Sequence, residues 1–146
     1  MSMETTAGRS RARDWTSVAL VAGAMVLTLA TASIHLTLGG PLWLIFRMNA
    51  VGYAVLAVAL VVPIGLADRF RWLIRLALLG FVLATMGGWV LIGARYDVAY
   101  LDKAIEAVLV AFLVVSIYRF DGGPTGVLAR LRALPGDLSG LLRGGR

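Results

Sequence analysis

The sequence predicts an all-α fold: a four-helix transmembrane bundle with both termini in the cytoplasm and a short basic amphipathic C-terminal tail. Three observations lead to this prediction. Hydrophobic residues occupy 60% of the 146 positions, and the mean hydropathy of +0.86 is well above that of soluble domains. Uncharged runs long enough to cross about 30 Å of hydrocarbon recur along the chain. Basic residues cluster at the ends of these runs.

The first three helices follow from the uncharged runs, and their predicted ranges are 15–38, 48–67 and 72–94. The turn Gly39-Gly40-Pro41 ends helix 1, because two glycines and a proline oppose continued helix. Arg47 and Asp68 bound helix 2, and Arg95 follows helix 3.

The fourth predicted helix, at 98–118, differs from the others. Its uncharged core, at 107–118, is too short to cross a bilayer by itself. The helix therefore has to include Asp102, Lys103 and Glu106 in its first turns. The four helices together predict a transmembrane domain over residues 1–120 and a cytoplasmic tail over 121–146.

Arginine and lysine are distributed unequally over the two ends of this bundle. One end has Arg47, Arg95 and Lys103. The other has eleven: Arg9, Arg11, Arg13, Arg69, Arg71, Arg75, Arg119, Arg130, Arg132, Arg143 and Arg146. Because basic loops stay in the cytoplasm, both termini are predicted to lie inside. A composition rich in arginine, alanine, glycine and leucine is typical of a GC-rich bacterium, so we expect a multi-pass protein of the bacterial inner (plasma) membrane.

An alternative for the first segment is a cleaved signal peptide, because basic residues precede an apolar region that ends in Ala30-Thr31-Ala32. The apolar stretch is longer than the usual core of a signal peptide, which favours a membrane helix.

The tail changes character after Tyr118. Asp121-Gly122-Gly123-Pro124 is predicted to be a linker, and beyond it valine and leucine recur at helical spacing among arginines: Val127, Leu128, Leu131, Leu134, Leu138, Leu141 and Leu142. A basic amphipathic segment of this kind lies on the inner leaflet, and anionic lipid attracts it by about 1 kcal/mol per arginine. Pro135 and Gly136 favour partial disorder instead, and both interpretations stay open.

Close packing between the helices is predicted at small residues, because helices in lipid associate through close approach and interhelical hydrogen bonds. On helix 3, Gly80, Ala84 and Gly88 are spaced by four and form such a stripe. Helix 1 offers Gly23, together with a polar strip that includes Thr28, Thr31 and His35. Threonine hydroxyls can bond to the backbone of the preceding turn, so the strip needs no ligand.

The charged residues of helix 4 indicate a polar site. Glu106 is about 20 Å from the inner boundary at Arg119 and is the deepest acid. Asp102 lies one turn away on the same face, and Lys103 is close enough to pair with Glu106. An ionised side chain at the centre of a bilayer costs about 2.5–3.5 kcal/mol, so Glu106 is expected to face the bundle.

Other polar residues lie at the same level, near the outer ends of the helices. The predicted ligand-binding or ion-binding residues are Glu106, Asp102, Lys103, His35, Asn49, Tyr53 and Arg95. No metal is assigned, because zinc on His35, Asp102 and Glu106 would need a further group. Haem would commonly need a second axial ligand beside His35, such as Met48.

Several classes of function are disfavoured. The absence of cysteine excludes disulfides, thiolate metal sites and thiol redox chemistry. Nucleic-acid binding needs a solvated basic face, and the apolar runs leave little room for one. No phosphate-binding glycine loop or serine elbow occurs, which disfavours the corresponding enzymes.

The arrangement of His35 at the end of helix 1, residues 44–53 at the start of helix 2 and Glu106 in helix 4 resembles a set of small four-helix bacterial integral membrane proteins. The resemblance covers most of the chain by layout and a few residues by identity. It implies the fold and no activity.

Three functions remain as hypotheses. The first is a non-enzymatic module, either an accessory subunit beside a membrane-protein partner or a binder of a small molecule under the outer loops. The second is a proton-coupled or ion-coupled carrier that uses Glu106, functioning as a homodimer. The third is a redox protein that binds haem or quinone near His35 and Tyr53.

Overall fold

Within the residues that the computed structural model describes, 4–63 and 65–143, the chain forms five helices and no strand. The helices are α1 (Glu4–Thr37), α2 (Trp43–Val61), α3 (Gly65–Ile92), α4 (Asp97–Asp121) and α5 (Gly123–Arg143). Side-chain packing is described for 15–63, 65, 69–136 and 139. The side chains used above that lie outside this part are those of Arg9, Arg11, Arg13, Asp68, Leu138, Leu141, Leu142, Arg143 and Arg146.

Three of the described helices are long and apolar enough to cross a membrane. These spans are Trp15–Thr37, Trp43–Val61 and Arg69–Ile92. The all-α fold is thereby confirmed, and the chain is a helical membrane protein. The 25-residue helix α4 is not among these spans because charged residues interrupt its apolar surface. A fourth crossing therefore stays a prediction.

Helix α2 begins and ends earlier than the predicted range of 48–67. It ends at Val61 because Val62 precedes Pro63, and a residue before proline is pushed out of the α region. Val62 is accordingly extended, with ψ of 123°. The guanidinium of Arg71 donates hydrogen bonds to the carbonyls of Leu60 and Val62, which satisfies the end of the helix.

The other helices differ from their predicted ranges mainly because they extend beyond the uncharged runs. Helix α1 continues back to Glu4, because arginine and alanine before Trp15 are good helix formers. Helix α3 begins at Gly65, before the predicted start at Trp72. The hydropathy of a segment indicates where it meets lipid, and the helical hydrogen bonds continue beyond that boundary.

Helix α4 packs against α1 and α3, while α2 packs against both α1 and α3. Close approach at Gly23 lets the Phe112 ring of α4 lie on α1, and a Cβ at this position would overlap that ring. Gly52 similarly receives the Phe81 ring, whose Cζ would lie 2.6 Å from an added Cβ. Glycine is therefore required for both contacts.

The predicted contact through Gly80, Ala84 and Gly88 is wrong within this chain. All three residues are exposed, and no described atom lies within 4 Å of an added Cβ at Gly80 or Gly88. Helix α3 instead buries Leu78 and Val82 completely. Because successive helical residues are rotated by about 100°, Leu78 and Gly80 point to nearly opposite faces.

The end of the bundle that carries the α2–α3 and α4–α5 connections is closed by a buried ion pair. Arg75 of α3 donates two hydrogen bonds to Asp121 at the end of α4, at 2.7 and 2.6 Å. Arg130 of α5 also approaches Asp121, at 3.4 Å. The side chain of Asp121 has no accessible surface. These contacts of Asp121 connect α3, α4 and α5 at this end of the bundle.

The predicted linker at 121–124 is a tight turn between two helices. Gly122 ends α4 in the left-handed region, with φ of 78°, and α5 begins at Gly123. Val127 of α5 packs on Trp72 and Ile117. The tail is therefore helical across 123–143, with Pro135 inside the helix. Leu128 and Leu131 remain exposed on its other face.

Candidate functional site

The half of the bundle that carries the α1–α2 and α3–α4 connections contains a buried polar cluster. His35 comes from α1, Tyr53 from α2, and Asp102 and Glu106 from α4, and each has at most 3% of its surface exposed. Lys103 reaches the same place with 11% of its side chain exposed. These are five of the seven residues that the sequence nominates. The cluster also includes Thr31 and Thr85, which contribute hydroxyl groups to the carboxylates.

Glu106 faces neighbouring helices and is fully buried. Its Oε1 atom accepts hydrogen bonds from the Tyr53 hydroxyl at 2.7 Å and the Thr85 hydroxyl at 2.9 Å. Its Oε2 atom accepts from the Lys103 ammonium at 2.6 Å. Donors from α2, α3 and α4 therefore replace the water that this carboxylate loses on burial, as a buried charge requires.

Asp102 is held in a similar way one turn nearer the outer surface. Its Oδ1 atom accepts a hydrogen bond of 2.5 Å from Thr31, and its Oδ2 atom lies 3.0 Å from the Lys103 ammonium. The Nδ1 atom of His35 is 3.7 Å from Oδ1. Lys103 thus bridges Asp102 and Glu106, and α1 supplies the remaining contacts of Asp102.

The cluster has more acid than base. Two carboxylates share one ammonium, so with a neutral His35 imidazole the formal charge is −1. Arg95 and Arg47 form no ion pair with these carboxylates. Each lies over a tryptophan ring instead, Arg95 over Trp89 at 4.0 Å and Arg47 over Trp43 at 5.4 Å. An uncompensated charge in a site of low dielectric favours the approach of a cation.

His35 presents a nitrogen that the described protein does not use. Its Nδ1 atom is 2.9 Å from the Thr31 carbonyl, which can only accept, so the proton of a neutral ring resides on Nδ1. Nε2 then has a free lone pair and no hydrogen-bond partner among the described residues. Because no fully buried polar side-chain atom there lacks a partner, Nε2 has accessible surface.

A cavity of about 250 Å³ adjoins the cluster. His35, Asp102 and Lys103 form its polar end, while Phe46, Phe81 and Trp89 belong to its apolar walls. Asn49, which is half-buried, also lines it, and the Asn49 amide bonds to no residue in the described part of the chain. The cavity therefore offers two unused polar groups beside a mostly apolar volume.

Arg95 does not join this site. It is exposed, and its guanidinium donates to the Val90 carbonyl at 2.8 Å while lying over the Trp89 ring. Its position after helix 3 predicts that it lies at the level of the cluster. The level of a residue along the bundle does not determine the direction of its side chain. Thr85, in contrast, belongs to the cluster although it is not among the site residues predicted from the sequence. It follows the buried Val82 by one helical turn.

The donor set fits a paired cluster better than a metal site. One ligand atom each from His35, Asp102 and Glu106 lies within 4.8 Å of the others. However, the Lys103 ammonium already lies between the two carboxylates, and their other oxygens accept hydroxyl protons. A divalent ion would have to displace Lys103. The chain has one histidine in total, so haem could not have two histidine ligands from one copy.

A comparison with protein-family models, with curated proteins and with solved structures finds no match to this chain. The assignment of a function consequently rests on the cluster and the cavity.

Proposed function

We propose that this chain crosses the inner membrane of a bacterium four times, with both termini in the cytoplasm and α4 as the fourth crossing. The packing of α4 along α1 and α3 supports this arrangement. Its 25 residues correspond to about 37 Å of helix, which is enough to cross the hydrocarbon. Its two membrane-level acids face other helices, so the fourth crossing exposes neither to lipid.

We further propose that the protein is a non-enzymatic binding module that holds a small molecule in the outer cavity. The observation that carries this proposal is the pair of unused polar groups, His35 Nε2 and the Asn49 amide, at the edge of an apolar cavity of about 250 Å³. Such a combination is typical of small-molecule sites, in which apolar walls supply affinity and a few polar groups supply orientation. An accessory subunit could present the same molecule to a partner protein.

Native mass spectrometry of protein extracted from its own membranes in mild detergent tests this function. The expected result is a small molecule bound at near one copy per chain. Ala84→Leu, which adds volume to the cavity wall, is expected to reduce its occupancy at least tenfold. Ala77→Leu makes the same change on an exposed position of α3 outside the cavity and serves as the control. A molecule that survives Ala84→Leu, or none at all, would refute the assignment.

A second function, a proton-coupled carrier, is favoured by the environment of Glu106. This carboxylate is fully buried and shares its only ammonium partner with Asp102. A cation that displaced Lys103, or a change in cluster charge, would be coupled to proton uptake or release at Glu106. The expected observation is a proton signal in weakly buffered solution when the co-purified molecule is added. Glu106→Gln should abolish it and Asp97→Asn should not; an unchanged signal in Glu106→Gln excludes this mechanism.

A further inference from the structure

The charge of the polar cluster and the shape of the cavity together point to the chemistry of its occupant. We infer that the cavity takes a lipophilic organic cation, an ammonium-type head on an apolar body, which arrives from the outer leaflet between α2 and α3. This inference rests on the proposed binding function and specifies its ligand class.

The first argument is electrostatic. Lys103 is fully engaged with Asp102 and Glu106, at 3.0 and 2.6 Å, and with a neutral His35 imidazole this leaves the charge of one carboxylate without a counter-charge. A cationic head beside His35 and Asn49 would bring the local formal charge to zero. An anionic head would add like charge, and like charges in a poorly solvated site repel strongly. Cations are therefore selected over anions of the same size.

The second argument comes from the groups that would touch the head. The accessible Nε2 of a neutral His35 and the amide oxygen of Asn49 are both acceptors and carry partial negative charge, which suits an ammonium-type cation. The aromatic rings of Phe46 and Phe81 line the same cavity. Aromatic faces attract cations, and the attraction is strongest where water is excluded. The lining thus provides acceptors and ring faces in place of the water around a cation.

The third argument concerns access. Ala84 and Gly88 of α3 line the cavity and are exposed, and Ile45 of α2 lines it with 50% of its surface exposed. The cavity thus opens past small and apolar residues between these helices. Gly88 is one turn before the end of α3 at Ile92, so the opening lies about 6 Å below the outer end of the helix. In a membrane this level faces acyl chains, where lipophilic molecules concentrate.

A matched pair of probes tests the inference. Benzyltrimethylammonium carries a permanent positive charge, and neopentylbenzene has the same shape with carbon in place of nitrogen. Binding of each to the full-length protein in nanodiscs is measured by saturation-transfer NMR with titration. The expected result is at least tenfold tighter binding of the cation. Neopentylbenzene binding as tightly as the cation would overturn the ligand class while leaving a small-molecule cavity in place.

Two substitutions that change the charge of the cluster in opposite directions separate an effect of charge from an effect on folding. Asp102→Asn removes a negative charge and is expected to weaken cation binding at least tenfold. Lys103→Gln removes the competing positive charge and is expected to strengthen it. Asp97→Asn, at the exposed start of α4, should change nothing. A structural role alone would lower affinity in both cluster variants, and loss of cation binding in Lys103→Gln with a folded protein would contradict the inference.

The outcome also discriminates between this inference and the function on which it rests. If neither probe binds but a neutral molecule co-purifies with the native protein, the ligand class is wrong and the binding function stands. If neither probe binds and nothing co-purifies, both are wrong.

Discussion

Two threonines one turn apart on α1 show that residue type alone does not predict the hydrogen-bond partner of a buried hydroxyl. Thr28 and Thr31 are both fully buried. Thr28 donates to the Ala24 carbonyl of its own helix, as expected for threonine in a membrane helix. Thr31 instead donates to Asp102 across the helix interface. The second bond neutralises part of the cost of burying a carboxylate, so the two residues are expected to differ in energetic importance.

Replacing each threonine with valine tests this difference, because the substitution keeps the shape and removes the hydroxyl. Thr31→Val is expected to lower the free energy of unfolding by about 1–2 kcal/mol, since Asp102 loses a donor. Thr28→Val should cost less than about 0.5 kcal/mol, because only a bond within the same helix is lost. Unfolding in mixed detergent micelles, followed by circular dichroism, measures both. Equal effects would contradict the assigned role of Thr31.

Tyr53 is the residue that links α2 to the acid of α4. Tyr53→Phe leaves Glu106 Oε1 with Thr85 as its remaining hydroxyl donor. The expected loss is about 1–3 kcal/mol of unfolding free energy, as for other hydrogen bonds to buried charged groups. Tyr100→Phe makes the same change at an exposed ring that stacks on Trp89, and it should be nearly neutral. A neutral Tyr53→Phe would show that the hydroxyl is dispensable to Glu106.

At the scale of elements, the ends of the helices are decided by specific local chemistry. Pro63 ends α2 although the uncharged run continues to Ala67, because proline acts on the backbone of the preceding residue. Gly122 ends α4 in a conformation that other residues rarely adopt. Both signals are present in the sequence. The length of an uncharged run therefore does not predict where its helix ends. The helix end is predicted by the residues that break the helix, here proline and glycine.

Asp121 joins α3, α4 and α5 through its contacts with Arg75 and Arg130. Asp121→Ala leaves the buried guanidinium of Arg75 without its bidentate partner. Because an unpaired buried charge is costly, the expected destabilisation is about 3–5 kcal/mol. Asp97→Ala, at the exposed first turn of the same helix, should cost less than about 1 kcal/mol. Thermal unfolding in detergent compares the two, and similar values would refute the importance of the buried pair.

At the scale of the whole molecule, the number of crossings decides which side the tail occupies. The chain contains no cysteine, so single cysteines report their location without background. Gly39→Cys lies between α1 and α2, and Thr125→Cys is exposed just after α4. We expect a membrane-impermeant maleimide to label Gly39→Cys in intact spheroplasts, and Thr125→Cys only after the membrane is opened. Labelling of Thr125→Cys from outside would show that α4 does not cross.

Among what the sequence by itself determined are the helical fold, the membrane as its solvent and the position of each polar residue along its helix. These properties follow from composition and from distance along the helix, both of which can be read from the linear sequence without knowledge of the contacts between helices. His35, Tyr53 and Glu106 could be placed at one level for that reason. For the tail, the sequence left an amphipathic helix and partial disorder both open, and it did not predict the packing of Val127 on Trp72.

Rotation of each helix about its axis was decided only by the tertiary structure. The sequence predicted one contact face on α3, through Gly80, Ala84 and Gly88. Packing instead buries Leu78 and Val82, partly buries Thr85 and leaves those three residues exposed. Arg95, at the right depth, turned away from the cluster. The physical reason is that a helix in lipid gains from any face that packs closely, so the chosen face depends on the shapes and donors of the neighbouring helices.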